Sequence, residues 1–142
     1  MSSAADFVYD IWYFAGISRE FPAGKLERKV IANEPITFGR KQDGTLFALR
    51  DICPHRAAPF SGGKMIEDTV ECPYHGWRFG ADDGACKEIP ALCADDDVAI
   101  DRIKVRTYPV REDGPLIWIF ISQDKRFSGT PVIDPPQFPL AS

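Results

Sequence analysis

From Lys29 the apolar positions of this chain fall in short β-prone runs broken by turn residues, which predicts strands. Val30–Ala32 and Ile36–Arg40 flank the turn-rich Asn33-Glu34-Pro35, and Asp43-Gly44 separates Ile36–Arg40 from Leu46–Arg50. An Asp-Gly pair between two such runs predicts a hairpin. Lys64–Glu71 offers one or two short strands around Glu67-Asp68, Trp77–Phe79 another ended by Asp82-Asp83-Gly84, and Ala85–Ile89 resumes until Pro90. Ile103, Val105 and Thr107 alternate through Ile100–Tyr108 as in a half-buried strand. Val110–Glu112 and Leu116–Ile121 predict a last hairpin across Asp113-Gly114-Pro115.

Two regions interrupt the strand pattern and two flank it. Cys53–Gly63 and Cys72–Gly76 are rich in Pro and Gly and read as loops. Residues 6–26 hold the aromatic group Phe7, Tyr9, Trp12, Tyr13 and Phe14, closed by Pro22 and Gly24, and read as an arm covering one end of the sheet, with room for a helical turn. Beyond Ser122 the prolines Pro131, Pro135, Pro136 and Pro139 mark a tail or linker. The expected organisation is an arm over 1–26, an all-β domain over 27–122 and a proline-rich tail over 123–142.

Composition bounds the answer without deciding it. The 142 residues suit one domain, which buries roughly two-thirds of its unfolded surface. Hydrophobic residues at 44% and charged residues at 27% are ordinary for a globular protein. Twelve prolines and eleven glycines punctuate the chain as an all-β fold requires. The longest apolar stretch, Leu116–Ile121, is far short of the ~20 residues of a membrane span, and Met1–Asp10 has no export pattern, so no membrane association is expected. A net charge of −4 argues against nucleic acid as a partner. Asp95–Asp97 reads as a solvated loop.

The cysteines change the picture. With no export signal a reducing, cytoplasmic compartment is expected, where cysteines serve metals or catalysis more often than disulfides. The four are Cys53, Cys72, Cys86 and Cys93; the only two histidines, His55 and His75, each lie within three residues of one of them. The pattern is C-x-H, sixteen residues, then C-x2-H. Thiolates are soft donors for iron–sulfur units or zinc, and imidazole suits iron and zinc alike. Pro54 and Pro73 follow the two cysteines and stiffen the loops, while Gly62, Gly63 and Gly76 allow tight paths beside a bulky centre. A structural zinc site is the competing reading, but such sites open with C-x2–4-C and place both histidines later. Here each loop mixes one Cys with one His, the mixture a Rieske [2Fe–2S] cluster uses, in which two histidines replace two cysteines on one iron.

The segments CPHRAAPFSGG and ECPYHGWRF, at residues 53–63 and 71–79, resemble the Rieske domain of Rieske non-haem iron oxygenases. The likeness runs on through DDGACKEIPAL to the hairpin LIWIF, and IWYFAGISREF at residue 11 looks like the start of such large subunits. It implies a fold of small antiparallel sheets with a two-loop cluster-binding tip, and a cluster held by Cys53 and Cys72 on one iron and His55 and His75 on the other. The respiratory Rieske branch places a third cysteine in each loop and a serine and a tyrosine after the second histidine-glycine pair. Here Tyr74 takes one cysteine position, and Trp77 and Phe79 take the hydroxyl positions. Hydrogen bonds to sulfur raise the potential, so a midpoint near the low end of the Rieske range, roughly −150 mV, is expected.

The resemblance also implies what else is needed. A Rieske oxygenase adds a mononuclear iron held by two histidines and a carboxylate. No histidine remains here beyond His55 and His75, so this chain alone is not expected to oxygenate a substrate and carries no catalytic residues of its own. The implied role is an electron-transfer domain. It would take single electrons from a reductase or ferredoxin and pass them to a mononuclear iron site, in that family often on a neighbouring subunit of a homotrimer, that oxidises an aromatic or small organic substrate. The alternative is a free-standing Rieske-type ferredoxin carrier, and a zinc-stabilised binding module stands as a third. Cys86 and Cys93 read as reduced packing residues, Trp12 and Trp118 as core, and Trp77 as packing beneath the second loop. Arg56 reads as a surface ion pair or a docking contact, and Asp51 and Glu71 as charges preceding the two loops.

Overall fold

The computed structural model describes residues 9–52, 59–73, 77–88, 103–123, 131 and 133–135. Their strands are all antiparallel and form three small sheets. In chain order they are β1 (Ile11–Ile17), β2 (Glu27–Ile31), β3 (Glu34–Arg40), β4 (Leu46–Arg50), β5 (Lys64–Ile66), β6 (Thr69–Glu71), β7 (Arg78–Gly80), β8 (Cys86–Glu88), β9 (Thr107–Tyr108), β10 (Val110–Asp113) and β11 (Leu116–Ile121). The sheets have the orders β1-β11-β10, β2-β3-β4-β9 and β5-β6-β7-β8. The all-β class expected from the alternation is the class observed. Among the described residues no helix is long and apolar enough to cross a membrane.

The second sheet is the middle of the molecule. Side chains alternate across a strand, and β4 uses both faces: Leu46 and Ala48 join one core cluster, Phe47 and Leu49 another. The first cluster unites Ile36, Phe38 and Phe21 with Ile117, Ile119 and Ile121 of β11. The second unites Phe47 and Leu49 with Phe60, Val70, Cys72, Phe79, Cys86 and Val105. The opposite face of β11 carries Trp118 and Phe120, which pack with Trp12 as a small third cluster. Trp12 and Phe120 meet edge-on at 5.4 Å, and Phe14, 54% exposed, stacks edge-on over Trp118.

Three segments differ from the sequence expectation. The aromatic arm holds a full strand, β1, paired with β11 from Ile11–Ile121 to Ile17–Leu116, and only Ser18–Glu20 makes a 3-10 turn. The first hairpin turns at Ala32-Asn33, both at positive φ, so Glu34 and Pro35 belong to β3 and pair with Ile31 and Val30. Ile103–Tyr108 is not one strand in one sheet. Lys104 makes an isolated antiparallel bridge to Ala85, just before β8 of the third sheet, whereas Thr107 and Tyr108 pair with Leu49 and Ala48 in the second. In the tail, the Trp12 indole donates to the Ile133 carbonyl at 2.8 Å and Arg111 pairs with Asp134 at 2.8 Å. The described part of the tail therefore lies against the first sheet.

Candidate metal centre

Two strand-to-strand connections meet at one end of the second and third sheets. The first leaves β4 at Arg50 and returns through the 3-10 turn Phe60–Gly62 into β5. The second is the short link from β6 to β7. Cys72 begins that link, directly after β6, and its N–H donates to the Trp77 carbonyl at 2.7 Å, which closes the base of the loop. Cys72 is 1% exposed and forms no disulfide; its side chain lies in the core cluster with Phe60, Val70 and Phe79. Of the four sequence-predicted ligands it is the one the structure places. Cys53, His55 and His75 lie outside the described residues, as do Arg56 and Cys93.

The base of the first connection is organised by Asp51, which is 2% exposed. Its Oδ1 accepts from the Ser61 N–H at 2.8 Å and from the Thr37 hydroxyl of β3; its Oδ2 accepts from the Ser61 hydroxyl at 2.8 Å. Arg28 Nε approaches Oδ2 at 3.5 Å. The Asp51 N–H donates to the Pro35 carbonyl at 2.9 Å. One carboxylate therefore joins the start of the connection to its end and ties both to β3. A buried carboxylate is costly unless paired and hydrogen-bonded, and this one is both.

The two connections are pressed together by glycines. A Cβ on Gly63 would meet the Glu71 carbonyl oxygen at 1.8 Å and the Phe60 carbonyl oxygen at 3.2 Å. Only a residue without a side chain lets the exit of the first connection run this close to the residue preceding Cys72. One on Gly62 would meet Pro73 Cγ at 3.7 Å, an ordinary contact. Beneath them Phe60 and Phe79 stack edge-on at 5.2 Å, both fully buried.

Ionic contacts brace the strands that lead into this end. Glu34 accepts from Tyr108 at 2.6 Å and from Arg106 at 2.8 Å, and Arg50 approaches it at 3.5 Å. Arg106 also donates to the Ser122 carbonyl at 2.7 Å, and its own carbonyl accepts from the Arg50 N–H at 2.9 Å. Burial, with the hydrogen bond to Glu34 added, pushes the Tyr108 hydroxyl well above the ordinary phenol range. Glu71 pairs with Arg78 at 3.4 Å and Lys64 at 3.9 Å beside the second loop. Sequence reading singled out Asp51 and Glu71 only as nearby charges; the clamp through Ser61 and Thr37 and the Glu34–Arg106–Tyr108 group join residues too far apart in the chain to show a local pattern.

The donor chemistry fits a metal–sulfur centre. A buried thiol sits at the mouth of a closed, glycine-packed link, beside a second connection whose two ends are pinned together, and the sequence puts one more Cys and two His on these same connections. A model of the Rieske [2Fe–2S] domain matches residues 11–109. The chain is 34% identical over 128 residues to the iron-sulfur subunit of the toluene-4-sulfonate monooxygenase system of Comamonas testosteroni, covering 90% of this chain and 35% of that one. It is 37% identical over 114 residues to the oxygenase component of dicamba O-demethylase of Stenotrophomonas maltophilia, covering 80% and 32%. Among solved structures, dicamba monooxygenase bound to dicamba superposes with a TM-score of 0.75 at 34% identity, covering 90% of this chain and 37% of that one. A chain of the reduced complex between oxygenase and ferredoxin in carbazole 1,9a-dioxygenase superposes with a TM-score of 0.73 at 27% identity, covering 91% of this chain and 30% of that one. The chain spans about a third of the length of the curated relatives it matches.

Proposed function

The chain belongs to the Rieske [2Fe–2S] domain family, and on that premise, with oxygenase components among its relatives, we propose that it is the electron-transfer domain of a Rieske oxygenase. Cys53 and Cys72 would hold one iron of the cluster, His55 and His75 the other. When bound, such a cluster takes up and returns one electron at a time. The protein's part is to fix the ligands and exclude water. Cys72 is held in an apolar cluster at the closed base of its loop, and the connection carrying Cys53 and His55 is anchored at both ends by Asp51. Residues 27–122 carry this work in our reading, while from the flanks 1–26 and 123–142 strand β1 and the described part of the tail pack on the first sheet.

The electron donor is a reductase or ferredoxin. The acceptor is a mononuclear non-haem iron site that oxidises an aromatic or small organic substrate, on the same or a neighbouring subunit of a homotrimer, and the assembly works in the cytoplasm. Relatives described as oxygenase components, and the ferredoxin complexes among the similar structures, support this choice. The observation that carries the reading is the pair of adjoining connections, with buried Cys72 at the base of one and Gly63 packed on the residue before it. Purification without air followed by iron and acid-labile sulfide assays tests it. About two of each per chain are expected. One zinc and no sulfide would overturn it.

A further inference from the structure

Asp51 does more in this structure than fill a core position. It closes the whole first connection on itself: Ser61, ten residues on, gives it both the backbone N–H and the hydroxyl. Behind it stands Thr37, on β3, a strand paired on both sides by β2 and β4 and therefore among the most constrained in the molecule. Ahead of it the chain continues through Gly62 to Gly63, which abuts the Glu71 carbonyl, and Glu71 precedes Cys72. Contacts thus run unbroken from the central sheet through one carboxylate to the second loop.

Resting on the reading above, we propose that Asp51 is a positioning residue for the cluster: its clamp on Ser61 sets where the Cys53–His55 connection stands relative to the Cys72–His75 loop. Three features support this. Both carboxylate oxygens are used on Ser61, so the carboxylate is fixed in rotation as well as in place. Ser61 gives it two hydrogen bonds from one residue, so opening the clamp breaks both at once. And the loop it closes is the one that the spacing of Cys53 and His55 assigns to two ligands. Metal ligands need support from residues behind them, whose loss lowers affinity about 10- to 100-fold.

Thr37 separates positioning from plain stability. It bonds the same carboxylate but from the sheet, so Thr37→Val removes a buried hydrogen bond and leaves the Ser61 clamp made. Asp51→Asn and Ser61→Ala weaken the clamp itself. The 142-residue chain, loaded with iron and sulfide, is challenged with an iron chelator, and the rate of iron loss is followed by visible absorbance. The g values of the reduced form are recorded by electron paramagnetic resonance, and unfolding is followed in urea. Asp51→Asn and Ser61→Ala are expected to lose iron about tenfold faster than the unmodified chain and to shift the g values. Thr37→Val is expected to stay within about twofold with unchanged g values, even where its urea midpoint falls as far. The double variant should lose iron no faster than Asp51→Asn, because both changes open one contact. Ser61→Ala, at a half-buried position, gives the answer should Asp51→Asn fail to fold. Iron loss that tracks the urea midpoint in all three variants, with constant g values, overturns the positioning role and leaves the cluster assignment standing. An unmodified chain that takes up neither iron nor sulfide overturns both.

Discussion

Gly63→Ala tests the close approach of the two connections directly. Gly63 has a negative φ of −94°, so no left-handed backbone demands glycine there, and the argument rests on the space around it. The added methyl carbon would lie 1.8 Å from the Glu71 carbonyl oxygen, 3.0 Å from the Glu71 carbonyl carbon and 3.2 Å from the Phe60 carbonyl oxygen. All three neighbours are backbone, and Glu71 is paired on both sides, to Lys64 and to Arg78, so none can swing away as a side-chain end could. The connections must part by more than an ångström. Overpacking of this kind costs about 1–3 kcal/mol, and a clash with paired backbone belongs at the upper end. Replacing glycine also restricts the unfolded chain, which returns about 0.4–1 kcal/mol. The net expectation is a loss of about 2 kcal/mol, or a fall in Tm of about 7 °C for a chain of this size. Gly62→Ala, whose methyl would touch only Pro73 at 3.7 Å, is the matched control and should change stability by less than about 0.5 kcal/mol. Thermal unfolding of both variants beside the unmodified chain decides the matter. A Gly63→Ala chain that melts with the unmodified one, or a Gly62→Ala chain harmed equally, would refute the argument from close packing.

Other consequences are as direct. Phe79→Ala removes a fully buried ring stacked on Phe60 and should cost about 3–5 kcal/mol, read as a large drop in the urea midpoint. Glu112 is held by both terminal nitrogens of Arg40 and by the Ser18 hydroxyl, Arg40 contributing most, so its carboxyl titrates at about 2 rather than its ordinary 4.5. A depressed carboxylate stabilises the fold above pH 4.5, and that contribution fades as pH falls through 2; because Glu112 is a third exposed, solvent screening reduces it to about 1 kcal/mol. Glu112→Gln should therefore be less stable by that amount at pH 7 and should converge with the unmodified chain near pH 2, in urea titrations at the two pH values. On the resemblance, Trp77 and Phe79 take positions that hold hydroxyl donors in the respiratory branch, so a redox titration of the loaded chain should find a midpoint roughly at −150 mV, and a strongly positive one would contradict that.

Much of this fold was legible because local chemistry and tertiary pairing agree. Asp43-Gly44 does turn the β3–β4 hairpin, and Gly114-Pro115 does turn β10 into β11. Where they disagree, a physical reason is visible. Ile11–Ile17 reads as a featureless aromatic run because β1 packs on both faces and a bulge between Phe14 and Gly16 breaks its alternation, leaving no period of two to find. Ala32 carries a positive φ that favours Gly or Asn, so the eye moves the turn one residue on toward Asn33-Glu34-Pro35. In Ile103–Tyr108 the alternation is real, but it reports an extended backbone. The Ile103 carbonyl accepts from Cys86 of the third sheet, the Val105 N–H donates to Gly84 in the turn before β8, and the Arg106 carbonyl accepts from Arg50 of the second sheet.

The candidate site divides the same way, and the division explains how such a site can be both recognisable and stable. The ligand types and their spacing are local in sequence, so a short motif exposes them. What holds the loops is not local: Thr37, Asp51 and Ser61 come from three separate segments, and Glu34, Arg106 and Ser122 from three more. Loops rich in Pro and Gly bury little apolar surface of their own and are intrinsically weak. Their feet therefore have to stand in the best-packed part of the molecule. Cys72 does so, sharing one apolar cluster with Phe60, Phe79 and Leu49 of the central sheet. A group bound there is linked to folding, since what binds only the folded chain stabilises it. The core beneath the loops and the centre they would hold would in that sense form a single cooperative unit, with Cys72, Asp51 and Gly63 among the described contacts through which each feels the other.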